Sequence, residues 1–358
     1  MNEKFVAVSP KSPLQPEQAI WLEKIFAHEP EVFTMSLAES VSVTVERQKP
    51  VSANVNAVST GSSRKTLTRL ERAERFWGWL MVLPLLIGLL VFYFIPFLQN
   101  IFYSFTDLDQ FMHWTTFNLD NYRDLISDDD FYSAIFNTLF YVLICVPISL
   151  TLSLLLAIGL NQNIRGKAVF RTLLFLPAVT MPAAVAMVWQ WLFNKDFGLI
   201  NYLLHFFHVS PIGWLSDPDV VRISVSVIII WSSLALKIII LLAGLQNIPK
   251  SIYEAADIDG ISTLRRFFSL TLPMMVPTLF FVSVMSFIEV LQIFDVIFLM
   301  FDRSMVESDT MTITYLFYKN AFYLQEKGYA SAITVVLFVV TMLITLVQMA
   351  IGKRLKVA

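Results

Sequence analysis

The sequence predicts an all-α, polytopic membrane protein that crosses the bilayer six times and carries a cytoplasmic N-terminal tail. Three observations predict it. Hydrophobic residues make up 56% of the 358 and charged residues only 15%; mean hydropathy is +0.65; and the apolar residues gather into six runs of membrane-crossing length. A soluble domain holds roughly 45 to 50% apolar and about 25% charged residues, and a chain of this size cannot bury the excess. The same figures exclude bulk disorder. One cysteine, Cys145, lies inside an apolar run and excludes a disulfide scaffold. A net charge of −2 leaves no footprint for nucleic acid.

A helix rises 1.5 Å per residue, so about 20 apolar residues cross the hydrocarbon core. Four runs are free of charge: Phe76 to Leu98, Phe131 to Leu160, Thr172 to Asn194 and Gly328 to Gly352. Two more contain it, Ile223 to Pro249 with Lys237 and Phe267 to Phe301 with Glu289 and Asp295. Pro84, Pro96, Pro147, Pro177, Pro182 and Pro277 fall within these spans. Such prolines are tolerated in a membrane because neighbouring helices re-satisfy the carbonyls they free.

Residues 1–70 precede the spans as a poorly ordered tail, and 71–358 form the membrane domain. The tail lacks the basic start and apolar core of a secretory signal peptide. Within it, Glu17 to Ala27 has the pattern of a short amphipathic helix, with an unstructured tail as the alternative. Lys and Arg set the orientation. The flank before span one, the loops after spans two and four, and the C-terminus carry fourteen of them, against six on the opposite side. Both termini are therefore expected in the cytoplasm. The first external loop is acidic, with Asp107, Asp109, Asp120, Asp124, Asp128, Asp129 and Asp130 against Arg123 alone.

The cytoplasmic stretch 249–273, between spans four and five, has ordered helix signals. Pro249 ends the span, Ser251 and Glu254 have the spacing of a capping box, Gly260 offers a left-handed exit, and Ser262 is placed to cap a second short helix. Two short helices meeting at a glycine form a knob that fits a groove on another protein.

Glu254-Ala255-Ala256, then Asp259-Gly260, then Leu272-Pro273 resembles the "EAA" loop of permease subunits of binding-protein-dependent ABC importers. Leu245-Gln246-Asn247-Ile248-Pro249, Phe294-Asp295 and Phe322 with Gly328-Tyr329-Ala330-Ser331-Ala332 resemble its carbohydrate-uptake branch. The likeness runs from about Phe76 to the C-terminus. It implies that the loop is a coupling helix seated in an ATPase subunit, with Glu254 as polar anchor, Ala255 and Ala256 as close-packing surface and Gly260 as bend. Ser251, Asp259 and Pro273 complete that coupling set. A purely local role for Glu254, as a helix cap, stands beside the docking role. The resemblance also implies a second permease subunit forming a heterodimer, an ABC ATPase dimer that holds ATP and Mg, an extracytoplasmic solute-binding protein, and a bacterial inner-membrane location. After span five the chain departs from the family, reading Phe301-Asp302-Arg303-Ser304-Met305-Val306 where a Thr, glycines and a proline are common.

Charges inside the membrane cost about 2.5 to 3.5 kcal/mol when they face lipid, so Lys237 and Glu289 should face protein or water. They are expected either to pair with each other or to line a polar pathway. Asp295 is expected to accept a structural hydrogen bond near the outer boundary. Trp231, Ser233, Lys237, Ser286, Glu289 and Gln292 share helical faces and are candidates for the solute path, with ordinary helix packing as the alternative for each. An aromatic face beside amides, hydroxyls and charges suits a sugar or polyol-like solute.

Enzyme signatures are missing. No Gly-rich loop ends in Gly-Lys-Ser/Thr, so the chain is not expected to bind ATP or any cofactor itself. His205 and His208 have metal-compatible spacing but no third ligand nearby in sequence. The function expected is the transmembrane permease subunit of an ATP-driven importer for a sugar or related polyhydroxylated solute. The alternative is a self-sufficient secondary transporter or channel using Lys237 and Glu289.

Overall fold

The computed structural model describes residues 69–354. The tail and the amphipathic helix expected over Glu17 to Ala27 lie outside the described residues. The chain forms α1 (Arg69–Leu89), a π turn (Leu90–Phe94) and α2 (Ile95–Tyr103), which together make the first span. After an acidic loop and α3 (Asp120–Ser127), α4 (Asp129–Asn161) is the second. The third is α5 (Lys167–Val179) with α6 (Pro182–Leu192), followed by the short α7 (Leu199–His205). The fourth is α8 (Pro218–Gln246). Next come α9 (Lys250–Ile258), α10 (Thr263–Arg266), a second π turn (Phe267–Thr271) and α11 (Leu272–Leu291). The chain ends with α12 (Asp295–Phe301), α13 (Glu307–Thr310), α14 (Ile313–Tyr318), a third π turn (Lys319–Leu324) and α15 (Lys327–Arg354), the last span.

Proline chemistry explains the irregularities. Pro96 and Pro273 each clash with the carbonyl four residues earlier. Those carbonyls, Phe92 and Ser269, sit inside the first and second π turns, whose wider winding makes room for the rings. Span three, one continuous apolar run in the sequence, is broken into two helices that meet at 108°. Pro182 disfavours helical backbone at the residue before it, and Met181 is extended at φ −63°, ψ 138°. Thr180 Oγ1 donates to the Leu176 carbonyl at 2.8 Å, satisfying one acceptor left open at the break.

Helix α8 is the axis of the bundle. At one end its Val221, Val225 and Ile229 pack with Tyr141, Cys145 and Val146 of α4, with Val290 and Leu291 of α11, and with Ile313, Tyr315 and Leu316 of α14. At the other, Leu234, Ile238, Leu241 and Leu245 meet Leu154 and Ala157 of α4 and Met275 and Val282 of α11. The first span contributes nothing buried over its apolar window, although Phe97 touches Phe338 of α15 edge-on at 4.9 Å.

A polar network closes the α4–α8 end. Arg222 donates from Nε to Asn137 Oδ1 at 2.8 Å and from Nη2 to Asp309 at 3.2 Å. Asn137, fully buried, donates to the carbonyls of Ser308 and Met311. Lys319 joins Glu307 at 2.9 Å and Asp130 at 3.5 Å. Its partial burial works to lower its pKa, yet the two carboxylates outweigh that and hold it above the ordinary lysine value. In the acidic loop the Thr115 hydroxyl and the amides of Thr116 and Thr115 hold the Asp107 carboxyl far below the usual range. The unusual stretch after span five is folded back tightly. Asp302 accepts from Tyr315 and Tyr323 at 2.7 and 3.1 Å, and Arg303 lies 4.7 Å over the Tyr323 ring.

Replacing Arg222 by Met leaves Asn137 Oδ1 without a donor in a buried site. The expected cost is about 1 to 3 kcal/mol, read as a lower unfolding midpoint in detergent. Arg222→Lys should recover only part of it, because an ammonium cannot span both acceptors.

Candidate functional site

Two surfaces stand out, a turn between spans four and five and one face of α11. Pro249 holds φ −58°, ψ 132°, the extended backbone an N-cap residue needs, so α9 begins at Lys250. This corrects the expected capping box. Ser251 already lies inside the first helical turn, no side-chain cap bond is made, and Ser251 and Glu254 are both exposed. Among the described residues Glu254 has no salt-bridge partner.

The exit follows the sequence reading closely. Gly260 is left-handed at φ 67°. Its N–H donates to the Asp257 carbonyl at 3.2 Å, and the Ile261 N–H donates to the Ala256 carbonyl at 3.0 Å, the paired bonds of a Schellman turn. Asp259 is the exposed C-cap. Ser262 does occupy the N-cap position of α10 but makes no side-chain cap bond; its carbonyl accepts from the Arg266 N–H at 2.8 Å. Pro273 stands in the first turn of α11, beyond the π turn.

What fixes the turn to the bundle was not visible in the sequence. Arg266 of α10 pairs with Asp257 of α9 and lies over the Tyr253 ring at 5.8 Å. Tyr253 shares a hydrogen bond with Thr271 Oγ1 at 3.2 Å, linking α9 to the π turn that leads into span five. The expected pair of small docking residues also divides. Ala255 is exposed, whereas Ala256 is 3% exposed and packs inward, where it cannot touch a partner. The outward apolar groups are Ile258, Leu264 and Phe268, at 87, 71 and 58% exposure. Ile258 follows Glu254 by four residues and so shares its face. That spacing, and the same spacing between Leu264 and Phe268, was the available signal.

On α11, Phe281, Met285, Glu289 and Gln292 are exposed along one face while Val282, Ser286 and Val290 are buried on the other. Lys237 of α8 reaches Glu289 Oε2 at 3.2 Å and Ser149 Oγ of α4 at 3.1 Å, so the expected pair forms and ties three helices together. Its ends differ. The lysine side chain is 4% exposed and the glutamate 49%, which seals the cation inside and presents the carboxylate outside. Of the other candidates, Ser233, Ser286 and Trp231 make packing contacts within the bundle. Ser233 Oγ donates to the Ile230 carbonyl at 2.9 Å and Ser286 Oγ to that of Val282 at 2.7 Å. Trp231 meets Trp189 edge-on at 5.8 Å. Gln292 is the exposed C-cap of α11. Asp295 is a correction: it opens α12 as an exposed side chain and accepts no hydrogen bond among the described residues. There it sits at the positive end of that short helix.

Removing Glu289 alone strands a buried ammonium. Glu289→Leu should therefore lower stability by about 3 kcal/mol, and adding Lys237→Met should restore most of it. A double-mutant cycle of thermal unfolding reads the coupling directly.

The model of a family described as "Binding-protein-dependent transport system inner membrane component" matches residues 129–357. The multiple sugar-binding transport system permease protein of Streptococcus mutans is 33% identical over 294 residues, covering 79% of this chain and 98% of that one. The trehalose/maltose transport system permease protein of Thermococcus litoralis is 31% identical over 287 residues, covering 80% and 97%. Among solved structures, a bacterial ABC transporter involved in import of the acidic polysaccharide alginate superposes with a TM-score of 0.72 at 22% identity, covering 80% of this chain and 99% of that one.

Proposed function

This chain belongs to the family of inner-membrane components of binding-protein-dependent transport systems, and from that premise we propose that it is a permease subunit of an ATP-driven importer for a sugar or related polyhydroxylated solute. The observation that carries the proposal is the turn 249–273. An exposed carboxylate beside an exposed apolar triad, braced from behind by Arg266 and Tyr253, suits a groove on a second polypeptide. Glu254 supplies the polar anchor there and Ile258 the apolar one, with Leu264 and Phe268 at the rim. An ATPase dimer holding ATP and Mg drives the cycle, and its closure moves the turn and, through Tyr253 and Thr271, the base of span five. A second permease subunit completes the pore, and an extracytoplasmic protein delivers the solute. Both termini face the cytoplasm in this arrangement, on the side richer in Lys and Arg.

The solute path runs along the open face of α11. A carboxylate exposed in mid-membrane is tolerated only where water or protein meets it, which favours this face for the pore. Relatives named for trehalose and maltose and for multiple sugars support a carbohydrate cargo. The free oxygen of Glu289 and the Gln292 amide offer acceptors and donors to solute hydroxyls, and Phe281 offers a ring to a sugar's C–H surface.

Two measurements test the reading. Ile258→Asp and Glu254→Gln should each reduce co-purification of the ATPase, the first by about tenfold or more, while leaving the permease folded; unchanged recovery of the ATPase by both would sink the coupling role. In a Cys145→Ser background, Met285→Cys and Gln292→Cys should react with a membrane-impermeant thiosulfonate, and bound solute should slow the reaction. Solute flux through the purified chain alone would instead support the self-sufficient transporter that the Lys237–Glu289 pair also suggests.

A further inference from the structure

Residues Lys195 to Trp214, between α6 and α8, form a small folded unit around one buried amide. Asn201 is 6% exposed, and its Nδ2 donates to the carbonyls of Lys195 and Ile212, both at 2.9 Å. Its Oδ1 accepts from the Ile212 N–H at 3.2 Å and from Trp214 Nε1 at 2.9 Å. The amide has thereby filled both donor and both acceptor positions. Trp214 lies 5.5 Å from Phe193, which stacks on Trp189, so the unit is fastened to the end of α6.

The helix inside this unit is inverted relative to one on a soluble surface. Its polar Asn201 points inward, while Leu199, Tyr202, Leu203 and Phe206 recur at the spacing of one helical face and are all exposed. Phe197 and Phe207 extend the patch, at 67 and 77% exposure. Residues 197–212 contain no Asp, Glu, Lys or Arg; His205 and His208 flank the phenylalanine pair, and Lys195 and Asp196, both exposed, stand side by side at the edge. Along the chain the patch continues from Met187, Val188 and Trp191, exposed on the second half of span three.

We propose that this face is an interfacial anchor, seated in the boundary between lipid headgroups and acyl chains at the α6–α8 end of the bundle. Aromatic side chains favour that depth, and a rigid apolar face rimmed by imidazoles and by the adjacent Lys195 and Asp196 meets acyl chains below and the zwitterionic headgroup layer above. Membrane lipid is the occupant because the face prolongs the apolar flank of a span and lacks the charge of a rim that docks a water-soluble protein. A span broken at Pro182 then has its far half held by the bilayer as well as by Trp231, against Trp189, and Trp214, against Phe193.

The test uses the full-length chain in nanodiscs of phosphatidylethanolamine and phosphatidylglycerol, with Cys145→Ser and an environment-sensitive thiol probe. Probes at Phe206→Cys and Tyr202→Cys should emit at shorter wavelength than one at Asp124→Cys. They should also lose most of their intensity when the lipids carry a nitroxide near the headgroup, which should leave the Asp124→Cys probe unchanged. The proposal is overturned if both probes report water and escape the nitroxide. It is equally overturned if their emission shifts only on adding a solute-binding protein or a second permease, the behaviour of a protein-docking face.

Discussion

Inside hydrocarbon every backbone carbonyl must find a donor within the protein, and this constraint shapes the chain more than any single contact. Prolines lie within spans one, two, three and five, and where one interrupts the helical ladder a local remedy is needed. At Pro96 and Pro273 the remedy is a π turn that moves the clashing carbonyl aside. At Pro182 the helix stops altogether, and a threonine hydroxyl takes one of the stranded acceptors. These remedies have consequences for function. The π turn before Pro273 is where the turn 249–273 meets span five, and Thr271 within it holds Tyr253. The Tyr253–Thr271 bond thus joins α9 to a piece of helix whose winding is already irregular.

The same rule applied to side chains explains the ion pair at the centre. An ammonium on α8 that is 4% exposed must be neutralised, and Glu289 on α11 does so with help from Ser149 on α4. Three helices are tied at one point, and the tie leaves a carboxylate on an open face. Of the two readings the sequence offers for these residues, the ion pair is the one the geometry forms, with one end buried and the other exposed.

Exposed apolar surface has three different meanings here. The first span and the open flanks of the other spans present it to lipid, as a membrane helix must. Around Ile258, Leu264 and Phe268 it sits beside the exposed carboxylates of Glu254, Asp257 and Asp259 on a polar turn, the composition of a protein-docking spot. Around Tyr202 and Phe206 it runs through sixteen residues without a charge, with Lys195 and Asp196 only at its edge, and is braced by a buried amide, the composition proposed for a membrane-interface element. Neighbouring chemistry, rather than apolar area itself, separates the three.

The sequence by itself determined the all-helical membrane fold with its five long apolar helices, the position of the turn between spans four and five, and its left-handed glycine. Each depends on local properties, the length of an apolar run or the backbone freedom of one residue type, that need no distant partner. Only the tertiary structure decided that Ser251 caps nothing, that Ala256 faces inward while Ile258 faces out, and that span three bends by 108°. It also decided the Arg222–Asn137–Asp309 network and the closure of Lys237 on Glu289. Those outcomes depend on which helix lies beside which. Small sequence differences around a proline or a cap carry too little energy to fix that arrangement, whereas burial of whole helix faces carries enough.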